Sequence, residues 1–283
     1  MEKTMSKGDQ RRAAIVEQMK ARGEVTIQEV MEQYGCSEAT ARRDLNLLAL
    51  SGGIIRTIGG AYYEGAGSTY ESSFNEKKHL LLPEKKSIAQ LAASLVREGD
   101  VIGLTGGTTT YLIARELKAF RNITVVTNAV NIAMELAESE DIQTVLTGGV
   151  MRSKSYELCG PLAESIIEKL NIGKMFTGID GISSTHGLTT YSELEARIGQ
   201  LMIARARQVI AVFDHTKLGV SSLFTMAPLS AVHACITDRS VDAEYEREFD
   251  RLGMEMHYAE QEVSKAPNKG SGNTPSENGG GQP

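Results

Sequence analysis

Residues 23–61, GEVTIQEVMEQYGCSEATARRDLNLLALSGGIIRTIGGA, decide how the N-terminal part of the chain folds. Thr26 with Glu29 three residues on has the pattern of a capping box, and Val30, Met31 and Tyr34 supply the buried side of the helix it starts. Gly35 closes that helix. Ser37 opens the next as N-cap, with Ala41, Leu45 and Leu48 on one stripe and Gly52-Gly53 at its end. Upstream, Ala13, Ile15, Val16 and Met19 repeat at helical spacing, and Gly23 is a natural stop. Three short helices, the last two joined by a tight Gly-containing turn, describe a helix-turn-helix. The IIRTIGGAYY that follows, residues 54–63, reads as two short strands around Gly59-Gly60, the wing of a winged variant.

If Leu45 points to the core, the 100° step per residue puts Ala39, Thr40, Arg43 and Leu47 on the outward face, the one that enters a major groove. Arg43 suits a bidentate contact to guanine, Thr40 a base edge, and Arg42 on the flank a phosphate. Ser37 caps the helix beside free backbone N–H groups that favour a phosphate, and Arg56 on the wing reaches backbone or minor groove. An Arg-Arg-Asp run alone is an ordinary solvated helix surface; here it stands with the Gly turn, the Ser cap and the Gly-Gly wing.

A length of 283 residues exceeds what one core needs, so two domains are expected. With 41% hydrophobic and 23% charged residues and no long apolar run, a bilayer is not expected as a partner. The basic residues near the start are not followed by an uninterrupted apolar segment, which argues against a secretory signal and predicts a cytoplasmic protein. The net charge of −6 is unevenly spread: residues 1–60 hold nine Lys/Arg against eight Asp/Glu, leaving the acidic excess to the remainder. Cys36, Cys159 and Cys235 have neither disulfide nor metal spacing, and the five histidines lack ligand spacing, so no metal or other cofactor is expected.

Past Pro83 the texture changes to helices near 84–97, 109–119, 129–138, 161–170 and 192–206, alternating with VIGL, ITVVT, TVLTG, MFTGID, VIAVFD and ACITD. Such alternation predicts an α/β domain with a mostly parallel sheet covered on both faces. The expected organisation is a winged helix-turn-helix over 6–62, a linker over 63–83, an α/β domain over 84–260 and a disordered Gly/Pro/Ser/Asn-rich tail over 261–283.

Ligands of such domains gather at the carboxyl ends of strands. LTGGTTTYLIAREL sets Gly106, Gly107, Thr108, Thr109 and Thr110 between a strand and a helix, where N–H groups, hydroxyls and the helix dipole converge on an anion such as phosphate. LTGGVMRS brings Gly148, Gly149 and Arg152, a fork for phosphate oxygens, with Lys154 close behind. Asp180, Asp214 and Lys217 stand at two further strand ends, suited to hydroxyls and a charged substituent.

Ser37, Thr40, Arg42, Arg43, Asp44 and Leu45, then Arg56, Thr57, Gly59, Gly60 and Ala61, match the DeoR family pattern S-x-x-T-x-R-R-D-L followed by R-T-x-G-G-A. The G-G-T-T-T loop, V-V-T-N-x-x-N-I-A, T-G-G-x-x-R, G-x-D-G and D-x-x-K-x-G resemble the DeoR-type C-terminal sensor domain, so the likeness covers roughly residues 8–240. It implies a sensor similar in fold to ribose-5-phosphate isomerase, repression of a carbohydrate-utilisation operon, release from operator DNA by a phosphorylated sugar, and a homo-oligomer, dimer or tetramer. TGGTTT and RSKSYELCGPLAE most resemble repressors of amino-sugar operons of the N-acetylgalactosamine type. Ala41, Gly53 and Thr105-Gly106 depart from the family, which commonly carries a larger aliphatic, Leu and Asp-Ser there. An isomerase reading meets Thr177 where the isomerase pattern has an acid three residues before the matching Asp, which leaves only Glu193 and Glu195 as bases. An activator of the same architecture is the other alternative.

Overall fold

The computed structural model describes residues 6–22, 24–50, 54–56, 59–63 and 71–259. The N-terminal unit runs α1 (Lys7–Arg22), β1 (Glu24–Thr26), α2 (Ile27–Tyr34), α3 (Glu38–Leu50), β2 (Ile54–Arg56) and β3 (Gly60–Tyr63). The Thr26 hydroxyl accepts from Glu29 N at 3.1 Å while the Glu29 carboxylate accepts from Thr26 N at 2.7 Å, so the capping box forms as the sequence predicts. Gly35 is left-handed at the end of α2, and Ser37 Oγ accepts from Thr40 N at 3.3 Å to start α3. Ile15, Met19, Val30, Ala41, Leu45 and Leu48 close one core between the helices, and the strands pair antiparallel in the order β1-β3-β2. Gly23, Gly52-Gly53, Thr57, residues 64–70 and the tail 261–283 lie outside the described residues.

The Asp of the Arg-Arg-Asp run faces inward. Asp44 is buried, accepting from Arg11 Nε at 2.6 Å and Arg12 Nη1 at 2.9 Å, so two charge-assisted bonds tie α3 to α1.

The C-terminal unit runs α4 (Phe74–Lys77), α5 (Leu82–Ser94), β4 (Val101–Leu104), α6 (Thr108–Leu117), β5 (Ile123–Thr127), α7 (Val130–Leu136), β6 (Ile142–Leu146), β7 (Val150–Met151), β8 (Leu158–Cys159), α8 (Pro161–Ile167), β9 (Ile172–Gly178), β10 (Gly181–Ser183), β11 (Gly187–Thr190), α9 (Glu193–Ala204), β12 (Ala206–Val212), β13 (Phe224–Ala227), β14 (Ala234–Thr237), α10 (Ala243–Arg251) and β15 (Glu255–Tyr258). Seven strands form a parallel sheet in the order β6-β5-β4-β9-β12-β14-β15. Along β12 and the residue after it, Val209, Ala211 and Phe213 enter one core while Ile210 and Val212 enter the other, as a sheet covered on both faces requires.

The chain builds outward from β4 to β6, then crosses back to lay β9 on the other side of β4. The loops after β4 and β9 therefore leave in opposite directions, opening a crevice at the carboxyl ends of the central strands. Several features exceed the sequence expectation, among them β1, the β7–β8 pair and α10. The sheet has a seventh strand, β15, whose EMHY lies at the edge without an apolar run, and the short strands β10, β11 and β13 form a separate antiparallel sheet. Residues 71–83, expected as linker, carry α4 and the start of α5.

Asp44→Ala is expected to destabilise the N-terminal unit by about 2 kcal/mol, less than a fully buried pair because both arginines keep some solvent. The check is chemical denaturation; a change within error would show that α1 and α3 hold together by apolar packing alone.

Candidate nucleic-acid interface and effector cavity

On α3, Ala39, Arg42, Arg43 and Leu47 are exposed and Thr40 half-exposed, while Ala41, Asp44, Leu45 and Leu48 are buried, so one face is presented whole to solvent. Ser37 Oγ and Thr40 Oγ1 lie 2.9 Å apart. Arg42 pairs with Glu38 one turn back at 2.7 Å, whereas Arg43 has no ion-pair partner among the described residues. Arg56 donates to Asn46 Oδ1 at 2.9 Å and to the Gly60 carbonyl, binding the wing to α3. Its half-buried position, and then the nearby charge of Arg42, lower its affinity for the proton.

At the crevice between β4 and β9 the structure has a cavity of about 100 Å³, room for several waters. The loop after β4 lines it with Thr105, Gly106, Gly107, Thr108 and Thr109, the loop after β9 with Asp180, and the loop after β12 with Asp214 and Lys217. No side chain caps α6, so its first N–H groups are left without a capping acceptor. Thr110 stands behind, its hydroxyl donating to the Gly107 carbonyl at 3.1 Å. Gly106 is required sterically: a Cβ there would lie 2.4 Å from Glu157 Oε1.

The second Gly pair plays another part. Gly148, Gly149, Arg152 and Lys154 do not line the cavity. Gly149 has φ +122°, and a Cβ would fall 2.7 Å from the Cys159 carbonyl, so it brings the turn after β6 against β8. Arg152 donates to both Glu71 oxygens at 2.8 and 2.9 Å and to Glu195, reaching the cavity only through these two lining carboxylates. Lys154 donates to the Glu71 carbonyl at 3.1 Å.

The roof of the cavity is the segment 71–81, which supplies Glu71, Ser72, Phe74, Lys77, Leu80 and Leu81. Ser73 caps α4 in a second capping box with Glu76, and Phe74 meets Tyr111 and Tyr156 edge-on at 5.5 and 5.6 Å. Lys77 Nζ reaches down to Asp180 Oδ1 at 2.6 Å, while Asp180 Oδ2 accepts from Thr190 Oγ1 at 2.9 Å and Tyr191 N at 3.3 Å. Burial by itself pushes the Asp180 carboxyl up, but Lys77 and Lys217 outweigh it and hold the group at about 2. Asp214 is likewise buried, yet Lys217, then Lys85 and the bonds from Thr216, keep it below the ordinary carboxylate range. The opposite holds for Glu157 and Glu195, where burial raises both and their mutual repulsion adds to it at Glu157. Lys77, Lys85, Glu71 and Glu157 were missed in the sequence; the S-x-x-E cap at 73–76 was the available signal that ordered structure begins before residue 84.

A model of the DeoR-like helix-turn-helix domain matches residues 11–65, and one of the DeoR C-terminal sensor domain matches residues 82–239. Among curated proteins, the chain is 30% identical to the putative aga operon transcriptional repressor of Escherichia coli O157:H7, covering 90% of this chain and 95% of that protein. It is 35% identical to the HTH-type transcriptional repressor GlcR of Bacillus subtilis, covering 91% and 98%. Against the glycerol-3-phosphate regulon repressor of Escherichia coli K12 the figures are 32% identity, 82% and 91%. The ribose 5-phosphate isomerase A structure of Methanocaldococcus jannaschii overlaps 47% of this chain and 53% of its own, at 21% identity and a TM-score of 0.36. The architecture and its matches define a helix-turn-helix transcription regulator with an α/β sensor domain, not an enzyme. Within that class, the chain belongs to the DeoR family. No helix among the described residues is long and apolar enough to cross a membrane.

The depressed Asp180 carboxyl sets a pH signature. Its stabilisation is complete above the unfolded value of about 3.9 and is lost as pH falls through about 2. The difference in unfolding free energy between the native chain and Asp180→Asn is therefore expected to shrink by roughly 2 kcal/mol between pH 5 and pH 2. Acid-series denaturation with an unchanged difference would show that Lys77 and Lys217 do not hold the ionised form.

Proposed function

We propose that the chain represses a carbohydrate-utilisation operon by binding operator DNA in the cytosol as a homo-oligomer, and that a phosphorylated sugar, in particular an amino-sugar phosphate, releases it. The observation that carries this reading is the roof. The segment following the wing closes the cavity, so ligand binding and the placement of the winged helix share one stretch of chain. The uncapped N-terminus of α6 and the ammonium groups of Lys77, Lys85 and Lys217 favour an anion, and Asp180 and Asp214 offer acceptors to hydroxyls. One of the relatives is named for a small phosphate ester, the glycerol-3-phosphate regulon repressor.

At the DNA end, Arg43 reads guanine, Thr40 and Ala39 face base edges, and Ser37, Arg42 and Arg56 position the helix against phosphates. Paired half-sites call for at least a dimer. At the sensor end, an anion that engages Lys77 competes with Asp180 for its ammonium and shifts the roof, a population change driven by differential contacts.

Two outcomes test the reading. Arg43→Ala should cost roughly 1–3 kcal/mol on the cognate site while leaving random DNA nearly unaffected, measured by fluorescence anisotropy on promoter fragments. Equal loss on both would remove Arg43 from base readout. In the same assay one of N-acetylgalactosamine 6-phosphate, galactosamine 6-phosphate, fructose 6-phosphate or glycerol 3-phosphate should weaken retention at least about tenfold, and Lys77→Ala should blunt that response while retaining DNA binding. Retention indifferent to all four would defeat the sensing function.

A further inference from the structure

Glu157, between Arg152 and β8, is the exception among the carboxyls of the cavity. Asp180 is met by Lys77, Asp214 by Lys85, and both Glu71 and Glu195 by Arg152. Among the described residues, no ion pair reaches Glu157, which is 7% exposed. Its side chain makes one hydrogen bond there: Asn128 Nδ2 donates to Oε2 at 2.7 Å. The other oxygen, Oε1, lies against Gly106 in the phosphate-loop wall, in the space that any Cβ at 106 would fill. The charged groups that act on it are the carboxylates of Glu195 and Asp180 and the Arg152 guanidinium, and the Cys159 thiol stands nearby. A carboxylate so buried, unpaired and beside two others is costly in its charged form.

We propose that Glu157 is a specificity-determining residue of the cavity, standing as a neutral carboxylic acid whose Oε1–H donates a hydrogen bond to an uncharged oxygen of the effector. Oε2 is committed to accepting from Asn128, so the proton belongs on Oε1, which lies against Gly106. Burial and the repulsion of Glu195 both act in this direction. Glu157 thus adds a donor to a cavity whose Asp180 and Asp214 are acceptors. It selects a hydroxyl or carbonyl oxygen at that point of the ligand, whereas an ammonium would need the ionised acid.

The role rests on the phosphosugar-sensing function proposed above, and the test separates the two. The full chain is titrated calorimetrically with the four sugar phosphates named above, and the tightest binder is carried to the variants. Glu157→Gln, which keeps the Asn128 contact and presents N–H in place of O–H, should bind within about threefold of the native chain. Glu157→Ala and Glu157→Asp, which remove or withdraw the donor, should weaken binding roughly tenfold. Circular dichroism and thermal melting control for folding. Independently of any ligand, the infrared difference between the native chain and Glu157→Gln at pH 7 should contain the C=O band of a protonated carboxylic acid. Absence of that band, or Gln as damaging as Ala, overturns the proposal. If none of the four sugars binds the native chain, the sensing function falls and the donor role with it, even where the acid band is present.

Discussion

A carboxylate largely withdrawn from solvent at the carboxyl end of the central strand must be compensated, and much of the sensor's construction follows from Asp180. Taking such a charge from water costs several kcal/mol unless a cation and hydrogen bonds replace the solvent. Thr190 at the end of β11 and the Tyr191 N–H just after it supply bonds, but the closest cation, Lys77, comes from a helix that precedes the whole sheet. The crevice at the topological switch point is thus finished by a segment outside the βα units that create it. The roof depends in turn on Phe74 between Tyr111 and Tyr156, and on Glu71 held by Arg152.

Buried ion pairs contribute little net stability, because desolvation offsets most of the attraction; their advantage is in favouring one arrangement over others. About the cavity stand one buried set, Lys85 and Lys217 around Asp214, and two partly buried ones, Lys77 with Asp180 and, behind the lining, Arg152 between Glu71 and Glu195. Each cation has a protein acid as partner, and an anionic ligand offers an alternative one. Exchange of partners costs less than charging an empty site, so an anion can redistribute these contacts with only a few kcal/mol of differential affinity.

The winged helix was legible almost to the residue, because capping boxes, Gly stops and a 3.6-residue stripe are local signals and Thr26, Gly35, Ser37 and Leu45 carry them in consecutive order. The alternation of the second domain was equally plain, and the loop at Gly106-Gly107 fell on the cavity as its strand–Gly–helix pattern suggested. What local pattern could not show was pairing across the sheet. Arg152 looks like a phosphate fork until Glu71, 81 residues earlier, and Glu195 are seen to occupy it. Asp44 looks like part of a solvated run until Arg11 and Arg12 close on it. Lys77 lay in a stretch whose charges and lack of periodicity resemble linker. β15 was hidden by its place at the sheet edge, where half-exposed residues leave no apolar run.

The two units differ in how they use charge, and the difference bears on how a signal passes between them. In the N-terminal unit, Asp44 with two arginines and Arg56 with Asn46 fix α3 to α1 and to the wing, and exposed Arg43 has no ion-pair partner among the described residues. These contacts, with Asp9 as a second acid on Arg12, hold α3 against α1 and the wing within its own domain. In the sensor, by contrast, the pairs converge on a cavity where a ligand can replace one member. A change there cannot reshape the reading face directly. On the function proposed above, it would act through the segment that begins at Glu71, with the winged helix moving as a unit against the spacing of paired half-sites.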